Sequence, residues 1–335
     1  MAADFATPEA DSYLVRVQVQ VGKRLNADAS CLTARTLGRP ISIKSRSGPI
    51  SKTDWLVLEA RGFSSESEAR HFGERLRLLA TIAGLCSHLG LDAGRDTTLG
   101  RFNEQALRSM GFEHDFRVPP EVHGILVLPD DGKSWFVHAN ASLSVTSDPG
   151  QLIEALEQLA DNSASFDVAQ YPALLVNSLR LLNLAMIADD SRAKIVLAIA
   201  AVEGLIRDEK WSDRQRKWFT DMISNLHAED DDELGEIAVA LASQRMHRIS
   251  LRQGVFRLLK ENGLQHYRAR WDDLYERRSG LFHGTLVLDR QQIHRLANDT
   301  VKLCVTIVLT ILTNRRIVLP PIAAVHFGDL ESSED

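Results

Sequence analysis

The sequence predicts an α+β protein, with a small N-terminal α/β domain built on an antiparallel-type sheet and an all-α helical bundle after it. Three observations lead to this. Val15, Val17, Val19 and Val21 alternate with Arg16, Gln18 and Gln20, the period of a strand with one buried face. Gly124–Leu128 and Trp135–His138 read as strands flanking Pro129-Asp130-Asp131-Gly132-Lys133, a segment with the turn chemistry of a hairpin. From Tyr171 onward the apolar pattern is helical throughout.

Further elements follow in order. Ile41–Lys44 and Trp55–Ala60 carry shorter strand signals. Ser65 and Glu68 have the spacing of a capping box, and Phe72, Leu76, Leu79, Ala83 and Cys86 then recur on one helix face. A helix is expected from Gln151 to Leu159, and the polar segment Asp161-Asn162-Ser163-Ala164-Ser165 reads as a linker. The spacing predicts helices over Pro172–Ile187 and after the N-cap Asp190, where Ile195, Ile199, Val202 and Ile206 would share a face. Ser212 would cap a third helix holding Trp218, Phe219, Met222 and Ile223. A fourth is expected over Asp230–Ala242 and a fifth over Ser250–Leu259, stopped by Gly263. A helix from Trp271 to Gly280 follows, and a last one buries Ile293, Leu296, Leu303, Ile307 and Ile311. The expected domains are 1–165, the α/β part, 166–320, the helical part, and 321–335, an acidic tail whose end, Gly328–Asp335, is read as disordered.

The totals restrict the function. A chain of 335 residues favours two domains, and 44% apolar residues suffice for real cores. The net charge of −6 excludes a polycation that coats nucleic acid, so any such contact needs a local basic patch. Cys31, Cys86 and Cys304 are odd in number and far apart, which argues against a disulfide framework or structural zinc and fits a reducing cytoplasm. The acidic start MAADFATPEAD lacks the apolar region of a secretory signal. The longest apolar stretch, Leu303–Thr313, is shorter than the roughly 20 residues that span a bilayer, so no membrane partner is expected.

Several motifs fail on inspection. Gly132-Lys133-Ser134 lacks the P-loop's earlier glycine, since Val127 stands there, and a strand rather than a helix is expected after it. The acidic run from Glu229 to Glu233 lacks calcium-loop spacing and suits the first turn of a helix. His247, His266 and His294 have no metal-ligand spacing, and there is no GxSxG elbow. No metal or other cofactor is therefore expected.

The segment Tyr275-Glu276-Arg277-Arg278-Ser279-Gly280-Leu281-Phe282-His283-Gly284 stands apart. Arg278 is followed by the polar Ser279, and four residues separate it from His283. This pattern, with Tyr275 three positions before the arginine and Gly284 after the histidine, resembles the signature of HEPN domains of the Apea-like subgroup. Ala201-Val202-Glu203-Gly204-Leu205 resembles the acidic residue of an earlier HEPN helix, and Arg248-Ile249-Ser250-Leu251-Arg252 resembles the region before the motif helix. The resemblance covers Tyr171 to Arg316 and leaves the α/β region aside.

The resemblance implies a metal-independent endoribonuclease, or toxin, acting in bacterial antiviral defence or stress. Arg278 and His283 would be its catalytic pair, and RNA its partner. RNA carries its own nucleophile, the 2′-OH, and cleavage moves one proton from it and another to the leaving 5′-oxygen. Histidine, with an ordinary pKa near 6.5, suits both tasks. Arginine forks donors onto phosphate oxygens and stabilises the growing charge. The product expected of HEPN ribonucleases is a 2′,3′-cyclic phosphate.

Positions five apart on a helix lie roughly 140° apart. Gly280 and Gly284 would let the helix end or bend between Arg278 and His283, or a homodimer would bring two motifs together, as HEPN ribonucleases generally do. Arg277, with five residues before His283, also satisfies the spacing, and Arg278 is preferred because the polar Ser279 follows it. Glu203 would orient Arg278 or simply pair with a nearby arginine. Tyr275 would pack with its hydroxyl on a partner, and Ser279 would assist as a donor or cap a helix end. Arg248, Arg252 and Arg277, within a basic run from Arg245 to Arg278, would track an RNA backbone or form a solvated face. The N-terminal domain would sense a trigger ligand or protein, or restrain the nuclease. The rival readings are a HEPN module that binds RNA, nucleotides or proteins without cutting, and a dimer module in which the motif only stabilises helix packing.

Overall fold

The computed structural model describes residues 12–45, 48–100, 120–131, 146–161, 172–206, 213–214, 217–218, 220–221 and 250–324. The strand expected at Trp135–His138, the Gly132-Lys133-Ser134 turn, residues 162–165 of the linker, the helix expected over Asp230–Ala242, the acidic run and the tail from Gly328 lie outside them. So do His247 and Arg248, and only short pieces of the helix expected after Ser212 fall within.

The chain is α+β, an antiparallel sheet followed by a helical region. The described strands are β1 (Tyr13–Val21), β2 (Arg24–Leu25), β3 (Cys31–Thr36), β4 (Arg39–Ser45), β5 (Trp55–Phe63), β6 (Leu91–Asp92), β7 (Thr97–Gly100), β8 (Glu121–Pro129) and β9 (Thr146–Ser147). The described helices are α1 (Glu66–Cys86), α2 (Pro149–Asp161), α3 (Ala173–Ile187), α4 (Ser191–Glu203), α5 (Leu251–Glu261), α6 (Arg268–His283) and α7 (Arg290–Asn314). They form two compact units, Met1–Ala201 with Leu288–Asp335, and Val202–Val287. This division differs from a boundary at 165/166, because α3 and α7 belong with the sheet.

In the first unit the main sheet runs β3-β4-β5-β1-β8-β7, all antiparallel, with β6 on the end of β1. β2 and β9 form a separate parallel pair. α1 lies on the face that carries Val15 and Val17, both fully buried. It comes close because residue 73 is glycine: a Cβ there would sit 2.8 Å from Val15 and 2.9 Å from Ile125. Its N-cap is half the expected capping box. The Ser65 hydroxyl accepts the Glu68 N–H at 3.2 Å, but the Glu68 carboxylate reaches back to the Ser64 N–H instead of that of Ser65.

The alternation in β1 predicts one buried face, yet both are buried. Arg16 is 6% exposed and Gln18 4%. The reason is Glu59, opposite Arg16 on β5. It accepts from Arg16 at 2.7 Å, Lys44 at 2.7 Å and Arg61 at 2.8 Å. Burial alone would push the Glu59 carboxyl up, but the hydrogen bonds from Lys44, Arg16 and Arg61 and the Arg16 charge outweigh it and hold the group at about 2.

α3 docks on α1 and β6, and α7 on α3. α7 is long and apolar enough to cross a membrane by length and composition, more so than Leu303–Thr313 alone suggested, but 67% of its most apolar stretch is buried within the fold. The tie between α1, α3 and β6 is Asn183, which is fully buried. Its carbonyl accepts the Leu91 N–H at 2.6 Å, and its amide donates to Thr81 and Leu179 carbonyls, each at 3.0 Å. α4 starts as expected, with the Asp190 carboxylate accepting the Ala193 N–H at 2.8 Å, but it stops at Glu203. Ile206 therefore lies beyond the helix and does not continue its apolar face.

Two outcomes follow from these networks. Because the Glu59 pKa falls on folding from 4.5 to about 2, its contribution is complete above the unfolded value and is lost as pH falls through the folded one. Stability by urea unfolding should drop by about 3 kcal/mol between roughly pH 5 and pH 2, and Glu59→Gln should flatten that slope. An equal slope in the variant would assign it elsewhere. Asn183→Ala should cost about 3 kcal/mol at neutral pH, since it orphans a buried N–H and opens a cavity. A loss below about 1 kcal/mol would show that the amide is not the tie.

Candidate functional site

The second unit contains α5, α6 and the segment from Val202 to Ile206. The Ser250 hydroxyl caps α5 by accepting the Gln253 N–H at 3.2 Å, and Gly263, at φ 74°, follows the helix end as a stop. Gly254 on α5 faces Ile206 so closely that any side chain there would overlap it. This close approach fixes the Val202–Ile206 segment, and with it Glu203, within the unit.

α6 begins at Arg268, three residues before the expected start at Trp271, and runs without a break through Gly280 to His283. Gly280 thus does not end the helix. It makes room for the returning chain, because a Cβ there would sit 2.9 Å from that of Leu286. The stop is Gly284, at φ 74°, a conformation that favours glycine. The Gly280 carbonyl accepts from the N–H groups of Gly284, Thr285 and Leu286.

The inner turns of α6 are anchored by Trp271 and Leu274, both buried. Tyr275 stacks on Trp271 with ring centroids 6.2 Å apart. Its hydroxyl donates to the Glu203 carboxylate, and Arg278 lies close enough to Glu203 to act on its charge. Burial pushes the Glu203 carboxyl up, while Arg278 and the Tyr275 hydrogen bond oppose that rise. Burial likewise raises Tyr275, and the neighbouring Glu203 charge adds to it. The Arg278 guanidinium carbon lies 5.7 Å from the Tyr275 ring centroid and 5.7 Å from that of Phe282, a cation–π arrangement on two sides. The Arg278 Nε is buried without a hydrogen-bond partner.

The structure therefore brings Glu203, Tyr275 and Arg278 together. Ser279, half-buried, makes no side-chain hydrogen bond among the described residues. His283 is exposed in the last turn of α6 and makes no hydrogen bond or ion pair among them. In a continuous helix it projects about 140° away from Arg278.

The basic run is partly neutralised. Arg252 pairs with Asp272, and Arg277 lies 3.7 Å from Asp273, one helical turn earlier. Arg268 stacks over Phe256 at 4.3 Å. Arg245 and Arg248 lie outside the described residues. Sequence reasoning did not single out Phe282, Phe256 or Asp272. Asp272 is one of two adjacent acids in a basic helix, and only that local charge pattern pointed to it. Among the described residues no group of three or more His, Cys, Asp or Glu is placed to hold a metal ion.

No family model matches this chain, and neither does any curated protein or solved structure. The chemistry of the site is thus read from its residues. An acid held close to an arginine and a tyrosine fixes the orientation of the guanidinium, while the exposed imidazole is free to meet a ligand or another chain.

Tyr275→Phe removes one of the influences that hold the Glu203 carboxyl down, so its pKa should rise further. Carboxyl-carbon NMR titration would read this directly. An unchanged Glu203 titration in the variant would remove the Tyr275 hydroxyl from the cluster.

Proposed function

We propose that the second unit is a HEPN-like, metal-independent endoribonuclease centre acting in bacterial defence or stress. The observation that carries this reading is the environment of Arg278. Its guanidinium lies against the Tyr275 and Phe282 rings and beside Glu203, and its terminal nitrogens, unlike the buried Nε, are not enclosed and make no hydrogen bond among the described residues. A guanidinium held in this way and still offering donors is suited to a phosphorane, because fixed donors aimed at growing charge reorganise little as it forms.

In this reading His283 takes the proton of the 2′-OH, whose oxygen attacks the adjacent phosphorus. Arg278 stabilises the phosphorane. A proton returns to the departing 5′-oxygen, leaving a 2′,3′-cyclic phosphate. The angular separation of the two side chains on α6 supports a composite site, with His283 of one copy working beside Arg278 of another in a homodimer. The exposed Phe282 and Val287, 45% and 90% exposed, supply apolar surface next to the motif for such a contact. Glu203 and Tyr275 act as positioning residues. The sheet unit would respond to a trigger ligand or protein.

A second reading is a module that binds RNA, nucleotides or a protein without cutting, and the pairing of Arg252 with Asp272 and of Arg277 with Asp273 favours its nucleotide- or protein-binding form. Internally neutralised arginines contribute less to tracking a phosphate backbone.

The deciding experiment is RNA cleavage in EDTA by the wild-type chain and by His283→Ala, with end-group analysis. The expected result is cleavage by wild type alone, leaving cyclic phosphate. Because His283 is exposed, the variant should melt within a degree or so of wild type. Equal cleavage by both proteins would refute the assignment of His283. Binding without cleavage by either would favour the second reading, and a marked loss of melting temperature would favour a structural role.

A further inference from the structure

Away from the motif, the first unit contains a cleft of about 250 Å³ between α1, the Ala93–Asp96 loop and α3. Three guanidinium groups line it, Arg77 from α1, Arg95 from the loop and Arg180 from α3. Each makes a single side-chain hydrogen bond among the described residues: Arg77 to Asp96 at 3.0 Å, Arg95 to Asn177 at 3.3 Å and Arg180 to Asp92 at 3.3 Å. A guanidinium has five N–H donors, so most of this donor capacity is unused.

The surroundings hold these groups in place. Asp92 is 5% exposed and accepts the Gly94 N–H as well as the Arg180 contact. The Asp96 carboxylate accepts the Ile125 N–H at 2.7 Å in addition to Arg77, which ties the loop to β8. Gly94, at φ 64°, lies so close to the His123 carbonyl that a side chain would overlap it. The loop therefore sits against the sheet, and Arg95 is presented beside α3. Asn183 sets α3 against α1, which brings Arg180 and Arg77 to opposite walls.

The cleft is not simply basic. Leu78 and Val176 give it apolar walls, and Glu74 lines it with no ion pair among the described residues. With Asp92 behind Arg180, three guanidiniums face three carboxylates, Glu74, Asp92 and Asp96, so the charge is balanced and the cleft offers an anion the unused guanidinium donors rather than a net positive charge. That combination matches a ligand with one anionic group, an apolar or flat body, and a hydroxyl for the Glu74 carboxylate to accept. We propose that the cleft binds a small phosphate monoester of mononucleotide size. The phosphate sits among Arg77, Arg95 and Arg180, the body lies on Leu78 and Val176, and a sugar-type hydroxyl donates to Glu74. This site is independent of RNA cleavage and would be the place where the sheet unit takes a ligand.

The test is isothermal titration of the full chain with AMP and UMP, with adenosine and inorganic phosphate as controls. Saturable one-site binding of a monophosphate, tighter than inorganic phosphate and with no saturable binding of adenosine, is expected. Arg95→Ala removes an exposed side chain and should weaken binding about tenfold or more without changing the unliganded melting temperature. Arg77→Lys keeps the charge but loses the fork and should weaken it as well. Absence of saturable binding at millimolar nucleotide would overturn the proposal, and so would affinities unchanged in both variants. Equal affinity for AMP and inorganic phosphate would overturn the assignment of the organic body.

Discussion

The side-chain amide of Asn183 fixes the arrangement of the sheet unit. A buried primary amide must satisfy a carbonyl and two N–H donors, and here each group meets backbone from a different part of the chain or from its own helix. The carbonyl takes the Leu91 N–H of β6, and the amide reaches Thr81 on α1 and Leu179 one turn back on α3. The contact also demands a small residue opposite. A Cβ on Gly84 would lie 2.9 Å from the Asn183 oxygen and 2.5 Å from Leu91. One polar side chain and one missing side chain thus set the distance between α1 and α3. The helix register that places Arg77 and Arg180 across a cleft follows from it.

A related logic operates in the second unit. Gly254 and Ile206 make contact with no space between them, so the segment after α4 is held where Glu203 meets α6. Glu203 then holds Tyr275 by a hydrogen bond and Arg278 by charge. The arginine is oriented by its neighbours while the histidine is left at the helix end, exposed beside Gly284. One side of the motif is structurally restrained and the other is open. That asymmetry is what a site completed by a substrate or by a second chain would need.

Several elements were legible in the sequence and several were not. β1 and β4 declared themselves because their apolar residues alternate, and β5 through the continuous apolar run Trp55–Leu58. β3 did not, since Cys31, Thr33 and Arg35 point outward and its hairpin turns at Leu37-Gly38, with Leu37 at φ 53°. A leucine in the left-handed region carries no turn signal. The burial of Arg16 and Gln18 was hidden because polar residues read as a solvent face, and the partner that changes this, Glu59, is 43 positions away. The start of α6 was placed late because its first residues, Arg268-Ala269-Arg270, contribute no bulky apolar side chain to the pattern. Its end was placed early because a glycine inside a helix resembles a stop. At Gly280 the requirement is instead the close return of Leu286.

The sequence by itself determined the α+β class, the order of the main elements, the cap at Asp190, and the segment that carries Arg278 and His283. These depend on local periodicity and on short-range hydrogen bonding, which neighbouring residues specify. Only the tertiary structure decided that Glu203 stands with Tyr275 and Arg278, that Arg252 pairs with Asp272, and that Arg77, Arg95 and Arg180 share a cleft. Each of these depends on the distance between elements. Those distances are set by buried polar groups and by glycines at close approaches, whose partners lie tens of residues away and leave no mark on the local pattern.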